Sequence, residues 1–513
     1  GISGFPRPDE SVHDAFIAGH ASTSISAALG IAKAMEIKGD DHHVVSVIGD
    51  GALTGGEAYE GLNNASKIKR SFIVILNDNE MSISKNSGAV AAYLSQMRSS
   101  TKYYETKKRV KEALSKSAIG RELSRSVSGT KELVKFAIFQ SNIFQNLGYK
   151  YLGPIDGNNL SELIDTLNVA KQLNEPCIVH IKTKKGKGYL PAEQNSGEYH
   201  GIAKRKAIFR EEAGETYSET MGRYLTELAD KDERICAVTA AMKYATGLQH
   251  FAKAHKSRFF DVGIAEEHAV TFAGGLASQG LIPVLGIYST FLQRSYDQII
   301  HDLAIEEEHV VFAIDRAGVV GEDGETHQGL FDVSMLSSIP KTVIYSPSNA
   351  EELKASIKKA LYGCKGIAAV RYPKGEAVTG SSEKADYDLR FYDCGKNALI
   401  ITYGRITGNA LTAAKKNKTD LLQMVKIYPI SEKALSIAEK YDKVLFFEEG
   451  IRSGGIAEKF SAALTERQWK GNFKITAVSD SFVKYGDMEK QLSDFRLDAE
   501  GMIKAVGEAI GKT

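Results

Sequence analysis

Cysteine is scarce in this chain: Cys177, Cys236, Cys364 and Cys394 lie far apart among 513 residues, and no CxxC pair occurs. That excludes a disulfide framework and a zinc–thiolate site, and single buried thiols suit a reducing compartment. Long apolar runs are missing too. The longest, such as Phe72–Leu76 and Ala398–Thr402, have strand length and cannot span a bilayer. A dominant charge is absent: 65 Lys+Arg stand against 64 Asp+Glu, a net +1. No global field therefore draws the protein to nucleic acid or to a lipid surface. The opening GISGFPRPDE carries neither an initiator Met nor a basic-then-apolar secretory pattern. The expectation is a soluble cytoplasmic enzyme without its natural start. What is present is an ordinary globular mix, 43% hydrophobic and 25% charged. At roughly 150 residues per domain, the length predicts about three domains.

Short β-branched runs alternate with helical patterns almost throughout, the mark of parallel α/β units. In the first third Val44–Ile48, Phe72–Leu76 and Ile178–Ile181 read as strands. Ser24–Ile37 reads as a helix whose Ala27, Ala28 and Gly30 permit close packing. Residues 84–148 break the rhythm with Lys107, Lys108, Arg109, Lys111, Lys116, Arg121 and Arg125. Without regularly interleaved stacking aromatics they read as a solvated helical excursion or mobile flap, not a nucleic-acid patch. The polar stretch Glu193–Glu215 leads to a second block, with strands at Ile235–Val238, Ile282–Leu285, Val310–Ile314, Thr342–Tyr345 and Ala368–Val370. After Ser381–Asp388 a third block follows, with strands at Ala398–Thr402, Leu421–Val425, Val444–Phe447 and Lys474–Ala477, then a helical tail.

Gly49-Asp50-Gly51 directly follows the strand Val44–Ile48, and Asn77-Asp78-Asn79 ends the strand Phe72–Leu76. Open α/β sheets bind ligands at such strand ends. Asp50 and Asn79 are 29 positions apart, room for one helix and one strand to return the chain to the same sheet edge. A carboxylate and an amide oxygen suit Mg²⁺, which also keeps phosphate oxygens, and the glycines let backbone approach a diphosphate. Spacing alone leaves a second reading open, two turns ending neighbouring strands.

GHASTSIS, VIGDGALTGGEAYEGLNNA, ILNDNEMSIS, VGIAEEHAVTFAGGLA, IYSTFLQRSYDQ, AIDRAGVVGEDGETHQG and AVRYPKG occur in this order over essentially the whole chain. The chain thereby resembles the 1-deoxy-D-xylulose-5-phosphate synthase family, thiamine diphosphate enzymes of the transketolase superfamily. The resemblance implies three α/β domains with mostly parallel central sheets flanked by helices. These are a diphosphate-binding domain at 1–200, a pyrimidine-binding domain at 210–380 and a transketolase C-terminal domain at 388–513. It implies Mg²⁺ held by the side chains of Asp50 and Asn79 and the carbonyl of Met81. Gly19, His20, Ala21, Gly51, Ala52 and Tyr189 line the cofactor site by the same resemblance; Ser is familiar where Ala21 stands, and a backbone contact tolerates the change. Relatives carry an N-terminal segment with a GHQ-containing motif that does not occur here. The chain is accordingly expected to bind thiamine diphosphate with Mg²⁺ but to turn over weakly.

The cofactor does the carbanion chemistry, and a carboxylate beside its aminopyrimidine ring must shuttle a proton. Residue type alone cannot choose between adjacent Glu266 and Glu267; the resemblance assigns Glu266, with Phe291 stacking on the pyrimidine. A phosphorylated aldehyde needs a phosphate grip, and arginine forks match phosphate oxygens. Arg316 and Arg371 each follow a strand, where surface ion pairing is the other reading. The resemblance makes them phosphate anchors, with Tyr288, Arg294 and Asp323 in the acceptor site and His327 on substrate or intermediate as a proton relay. The implied reaction joins pyruvate, with loss of carbon dioxide, to D-glyceraldehyde 3-phosphate in a homodimer. The product feeds isoprenoid and, in bacteria, thiamine synthesis. A transketolase-type ketol transferase and a poorly active cofactor-binding form compete with this reading.

Overall fold

The computed structural model describes residues 4–79, 89–99, 142–194, 199, 214–378, 387–479 and 481–511. Met81, the basic residues Lys107 to Arg125 and most of both polar stretches lie outside these. The chain divides into two compact units, Pro6–Ile208 with Gly263–Ala265, and Gly1–Phe5 with Phe209–Val262 and Glu266–Thr513.

The first unit holds β1 (Val44–Gly49), β2 (Phe72–Asp78), β3 (Lys150–Asp156) and β4 (Pro176–Lys182). They form a parallel sheet in the order β1-β2-β4-β3. Phe72, Ile73, Val74 and Leu76 of β2 are all buried, as a central parallel strand covered on both faces requires. Edge strand β1 alternates instead: Val44, Ser46 and Ile48 are buried, Val45 and Val47 exposed. Strand β3 gave no sequence signal, because Gly153-Pro154 interrupts it. Proline is tolerated there because β3 is an edge and its register shifts between Leu152 and Ile155.

The helix Ser24–Lys38 ends at Gly39, whose φ of +69° is left-handed. Its Ile25 packs on the helix Gly56–Ala65, where a Cβ on Gly61 would meet Ile25 Cγ2 at 2.9 Å. Of the small residues expected to permit this packing, Ala28 is buried, whereas a Cβ on Gly30 would meet open space.

The second unit continues with β5 (Ile235–Thr239), β6 (Phe259–Asp261), β7 (Ile282–Tyr288), β8 (Val311–Asp315), β9 (Val343–Tyr345) and β10 (Ala368–Arg371). Then come β11 (Leu389–Lys396), β12 (Leu399–Thr402), β13 (Thr419–Met424), β14 (Lys426–Tyr428), β15 (Lys443–Ile451) and β16 (Asn472–Val478). Two sheets result, β14-β9-β10-β8-β7-β5-β6 and β11-β13-β12-β15-β16. All pairings are parallel except β11 with β13 and β14 with β9. Strand β14 follows β13 in the chain yet joins the other sheet, so the sheets share one core running from Val238, Leu285 and Phe312 to Ile401, Leu422 and Phe446. Among the described residues no helix is long and apolar enough to cross a membrane.

Candidate active site

In the first unit Gly49 pairs with Asn77 across β1 and β2, and the Asp50 N–H donates to the Asn77 carbonyl at 3.1 Å. The two sequence motifs thus end side by side. Asp50 is buried and accepts from the Gly51 N–H at 3.1 Å. The turn Ala52–Thr54 follows, and the next helix starts at Gly56 with no side-chain cap, as suits amides that meet an anion.

Two members of Asn77-Asp78-Asn79 are committed to the fold. Asn77 Oδ1 accepts from the Thr183 hydroxyl at 2.6 Å. Asp78 Oδ2 is 3.0 Å from His180 Nε2, whose Nδ1 is 2.6 Å from the Tyr151 hydroxyl, all three side chains buried. This Tyr–His–Asp line fixes the turn that presents Asn79.

Gly19, His20 and Ala21 lie in the turn before the helix Ser24–Lys38. Ser22, passed over in the sequence, ties that turn to the diphosphate loop. Its φ is +74°, unusual for a residue with a side chain, and its hydroxyl donates to the Ala52 carbonyl at 2.7 Å. A Cβ on Gly55 would meet Ser22 Oγ at 2.3 Å, so both turns need their residues. Lys185 also escaped notice: burial pushes its ammonium pKa down while the Asp50 charge opposes that. Tyr189 is largely exposed and meets Tyr199 edge-on at 5.7 Å.

The donors at Asp50 and Asn79 are hard oxygens, and among the described residues no three His, Cys, Asp or Glu side chains form a metal cage. A cation here would complete its shell from water and ligand oxygens, which fits Mg²⁺ and a diphosphate.

In the second unit Glu266 opens the helix Glu266–Ala277 and is 3% exposed. Burial raises its carboxyl pKa, and Arg294, with Nε at 3.0 Å from Oε2, pulls the other way. Glu267 is more exposed and lies 3.5 Å from Arg294 Nη2. The structure so separates two glutamates that the sequence could not. The Arg294 guanidinium spans the pair, 3.0 Å from Glu266 and 3.5 Å from Glu267.

Tyr288 at the end of β7 begins a stack. The Arg316 guanidinium lies 3.8 Å from the Tyr288 ring centre, and Phe291 stacks on Tyr288 at 5.5 Å. Phe291 meets His327 edge-on at 5.2 Å, and Phe5 stacks on His327 at 4.9 Å. His327 Nδ1 is 2.9 Å from the Thr326 hydroxyl. Arg316 follows β8 with a left-handed φ of +57°, and its Nε is 3.9 Å from Asp323. Both Asp323 oxygens accept from Lys374 Nζ at 2.8 Å. Tyr288, Phe291, Arg316, Asp323 and His327 therefore come together, joined by Lys374, which the sequence reading missed although it sits in the quoted AVRYPKG.

Arg371 departs from the expected open anchor. It does end β10, but it is 4% exposed, with Nε and Nη2 on Asp332 at 2.8 and 3.3 Å and Nη1 3.4 Å from the Ser346 hydroxyl. A buried carboxylate 39 positions away neutralises the charge that a phosphate was expected to meet.

Comparison with known proteins agrees with this architecture. Residues 1–183 match the family model for 1-deoxy-D-xylulose-5-phosphate synthase. Residues 214–378 match the transketolase pyrimidine binding domain, and 390–502 the transketolase C-terminal domain. The 1-deoxy-D-xylulose-5-phosphate synthases of Natranaerobius thermophilus and Aquifex aeolicus are each 42% identical, over 99% of this chain and 83% of theirs. A split-gene transketolase, described as an inactive beta4 tetramer, superposes with a TM-score of 0.52 at 25% identity, over 58% of this chain and 99% of its own. Transketolase from Leishmania mexicana superposes at 0.50 and 15% identity over 97% of this chain and 81% of its own, a likeness of fold. By its identity to these synthases along nearly its whole length, the chain belongs to the 1-deoxy-D-xylulose-5-phosphate synthase family.

Proposed function

We propose that the protein condenses pyruvate with D-glyceraldehyde 3-phosphate to give 1-deoxy-D-xylulose 5-phosphate and carbon dioxide, the first step of the non-mevalonate isoprenoid route. The observation that carries this reading is the buried Glu266, its pKa raised by desolvation, in the unit that also gathers Arg316, directly after β8, with Asp323 and His327 of the loop that follows. A carboxyl kept protonated to higher pH than usual is suited to hold and return a proton.

Thiamine diphosphate, when bound, supplies the chemistry that decarboxylates a 2-oxo acid and makes its remainder a nucleophile. Asp50 and Asn79, with the Met81 carbonyl that the family resemblance adds, would hold Mg²⁺, and Gly51, Ala52 and the Gly19–Ala21 turn would line the diphosphate site together with Tyr189. Glu266 would hold and return a proton beside the aminopyrimidine ring, and Phe291 would support that ring. Arg316 grips the phosphate of the aldehyde; Tyr288 and Asp323 position it, and His327 moves a proton at the reacting carbonyl oxygen. Arg371 contributes through the buried pair with Asp332, which fixes the end of β10. The domain limits 1–200, 210–380 and 388–513 and a homodimer belong to the same reading. The choice of donor tests it: with thiamine diphosphate and Mg²⁺ present, pyruvate should be consumed and xylulose 5-phosphate left. The reverse preference would make the chain a ketol transferase.

A further inference from the structure

We propose that Glu449, with Arg405 and Gln491, is a positioning residue of this reaction, acting through the loop that carries Asp323 and His327. The inference rests on the functional reading above and concerns side chains far along the sequence from the reacting groups.

Gly318 and Gly329 close the base of the loop as an antiparallel bridge, with N–H···O distances of 2.7 and 2.8 Å. The loop's rising limb is interior: Val319, Val320 and Gly321 are buried. Buried backbone must find partners, and here they come from side chains after residue 400. The Val319 N–H donates to Glu449 Oε1 at 2.8 Å. Arg405 Nη2 donates to the Val319 carbonyl at 2.7 Å, and Arg405 Nε to Glu449 Oε2 at 3.0 Å. The Gly321 N–H donates to Gln491 Oε1 at 3.1 Å, while Gln491 Nε2 donates to the Lys484 carbonyl at 2.7 Å. Gln328, inside the loop, accepts from the Val320 N–H at 2.8 Å.

The fit is close. Gly318 has a φ of +86°, and a Cβ there would sit 2.2 Å from Glu449 Oε1. Glu449 and Gln491 are 5% and 4% exposed, so in the native chain these bonds are made away from bulk water. Glu449 on β15 and Gln491 on the helix Met488–Asp494 thus grip the rising limb of the loop two to four residues before Asp323. The five-stranded-sheet domain serves the chemistry by fixing where Asp323 and His327 stand.

A fold-only role is separated from a positioning role by a control in the same domain. Asp420 on β13 is equally buried and accepts from the Cys394 and Gly395 N–H groups at 2.9 Å and the Tyr441 hydroxyl at 2.5 Å, away from the loop. Glu449→Ala should raise the KM for D-glyceraldehyde 3-phosphate at least ~10-fold, since small misplacements of reacting groups are costly. Thiamine diphosphate affinity should stay within about twofold, and Asp420→Asn should lower Tm without moving that KM. Glu449→Gln, which keeps an acceptor for the Val319 N–H, should recover most of the loss. Should Glu449→Ala not fold, Gly318→Ala presses the loop off an intact Glu449 and should raise the same KM. Hydrogen exchange gives a readout independent of turnover: amides of residues 318–328 should exchange faster in Glu449→Ala and unchanged in Asp420→Asn. An unaltered aldehyde KM, or an equal rise in Asp420→Asn, overturns the positioning role. Unaltered loop exchange overturns the clamp itself. If the wild-type chain does not join pyruvate to the aldehyde, the functional reading falls and exchange alone judges the clamp.

Discussion

Replacing Glu266 by Gln keeps the side chain's shape and removes its ability to move a proton. A positioned general acid–base group contributes ~10²–10⁴ in rate, which at about 1.36 kcal/mol per decade is about 2.7–5.4 kcal/mol of barrier. The effect on stability is smaller because two contributions oppose. The variant relieves the desolvation that raises the Glu266 pKa, yet takes from Arg294 its partner at 3.0 Å. Arg294 keeps Glu267 at 3.5 Å, so no buried cation is left alone, and each contribution is of order 1–3 kcal/mol.

The assay is aldehyde-dependent carbon dioxide release from pyruvate, with unfolding followed in parallel. Turnover should fall at least ~100-fold, with the KM for pyruvate and the cofactor affinity nearly unchanged. The pH dependence has a definite sign. With its folded pKa raised, Glu266 holds its proton in the native state after the unfolded chain has released it. Its contribution to stability therefore declines as pH rises from the ordinary carboxylate value through the folded one. The Gln variant lacks that decline and should gain on the wild type across the window. Turnover within ~10-fold of wild type would refute the acid–base assignment and pass the role to Glu267. A variant that loses ground as pH rises would refute the dominance of burial over Arg294.

Asp50→Ala should abolish the Mg²⁺ dependence of thiamine diphosphate binding in calorimetry; unchanged Mg²⁺-dependent binding would dismiss the cation site. Asp78→Ala removes the anchor of the Asn79 turn and should weaken Mg²⁺ affinity ~10–100-fold, the usual reach of groups behind metal ligands, although Asp78 itself bonds His180. Arg316→Ala should raise the KM for D-glyceraldehyde 3-phosphate and spare that for unphosphorylated glyceraldehyde; equal effects on both would remove it from the phosphate. Arg371→Ala leaves Asp332 buried without its partner and should cost about 3–5 kcal/mol of stability in denaturant unfolding. A raised aldehyde KM at full stability would instead restore Arg371 as an open anchor.

Much of the fold was legible because parallel strands buried on both faces leave continuous apolar runs, as in Phe72–Leu76. The elements that escaped lack that pattern. Strand β3 contains Gly153-Pro154, β6 is only Phe259–Asp261, and β11 and β14 run antiparallel at sheet edges, where alternation and brevity hide them. The separation of Asp50 from Asn79 correctly announced a return to the neighbouring strand, because one helix and one strand fix that distance. Partnerships formed by tertiary approach left no trace. Nothing near Arg371 announces Asp332, and nothing in the run FFEEG distinguishes Glu449, which meets Val319 130 positions away. Ser22 was hidden for another reason: its function rests on a backbone conformation that serine rarely adopts.

The most direct test of the central claim follows carbon. The purified protein is supplied with thiamine diphosphate, Mg²⁺, D-glyceraldehyde 3-phosphate and pyruvate labelled with ¹³C at its carbonyl and methyl carbons, and the products are read by NMR. Both labels should appear as adjacent carbons at the head of 1-deoxy-D-xylulose 5-phosphate, with one unlabelled carbon dioxide released per aldehyde consumed. Labels that stay in pyruvate, or that leave as a two-carbon product without joining the aldehyde, would contradict it.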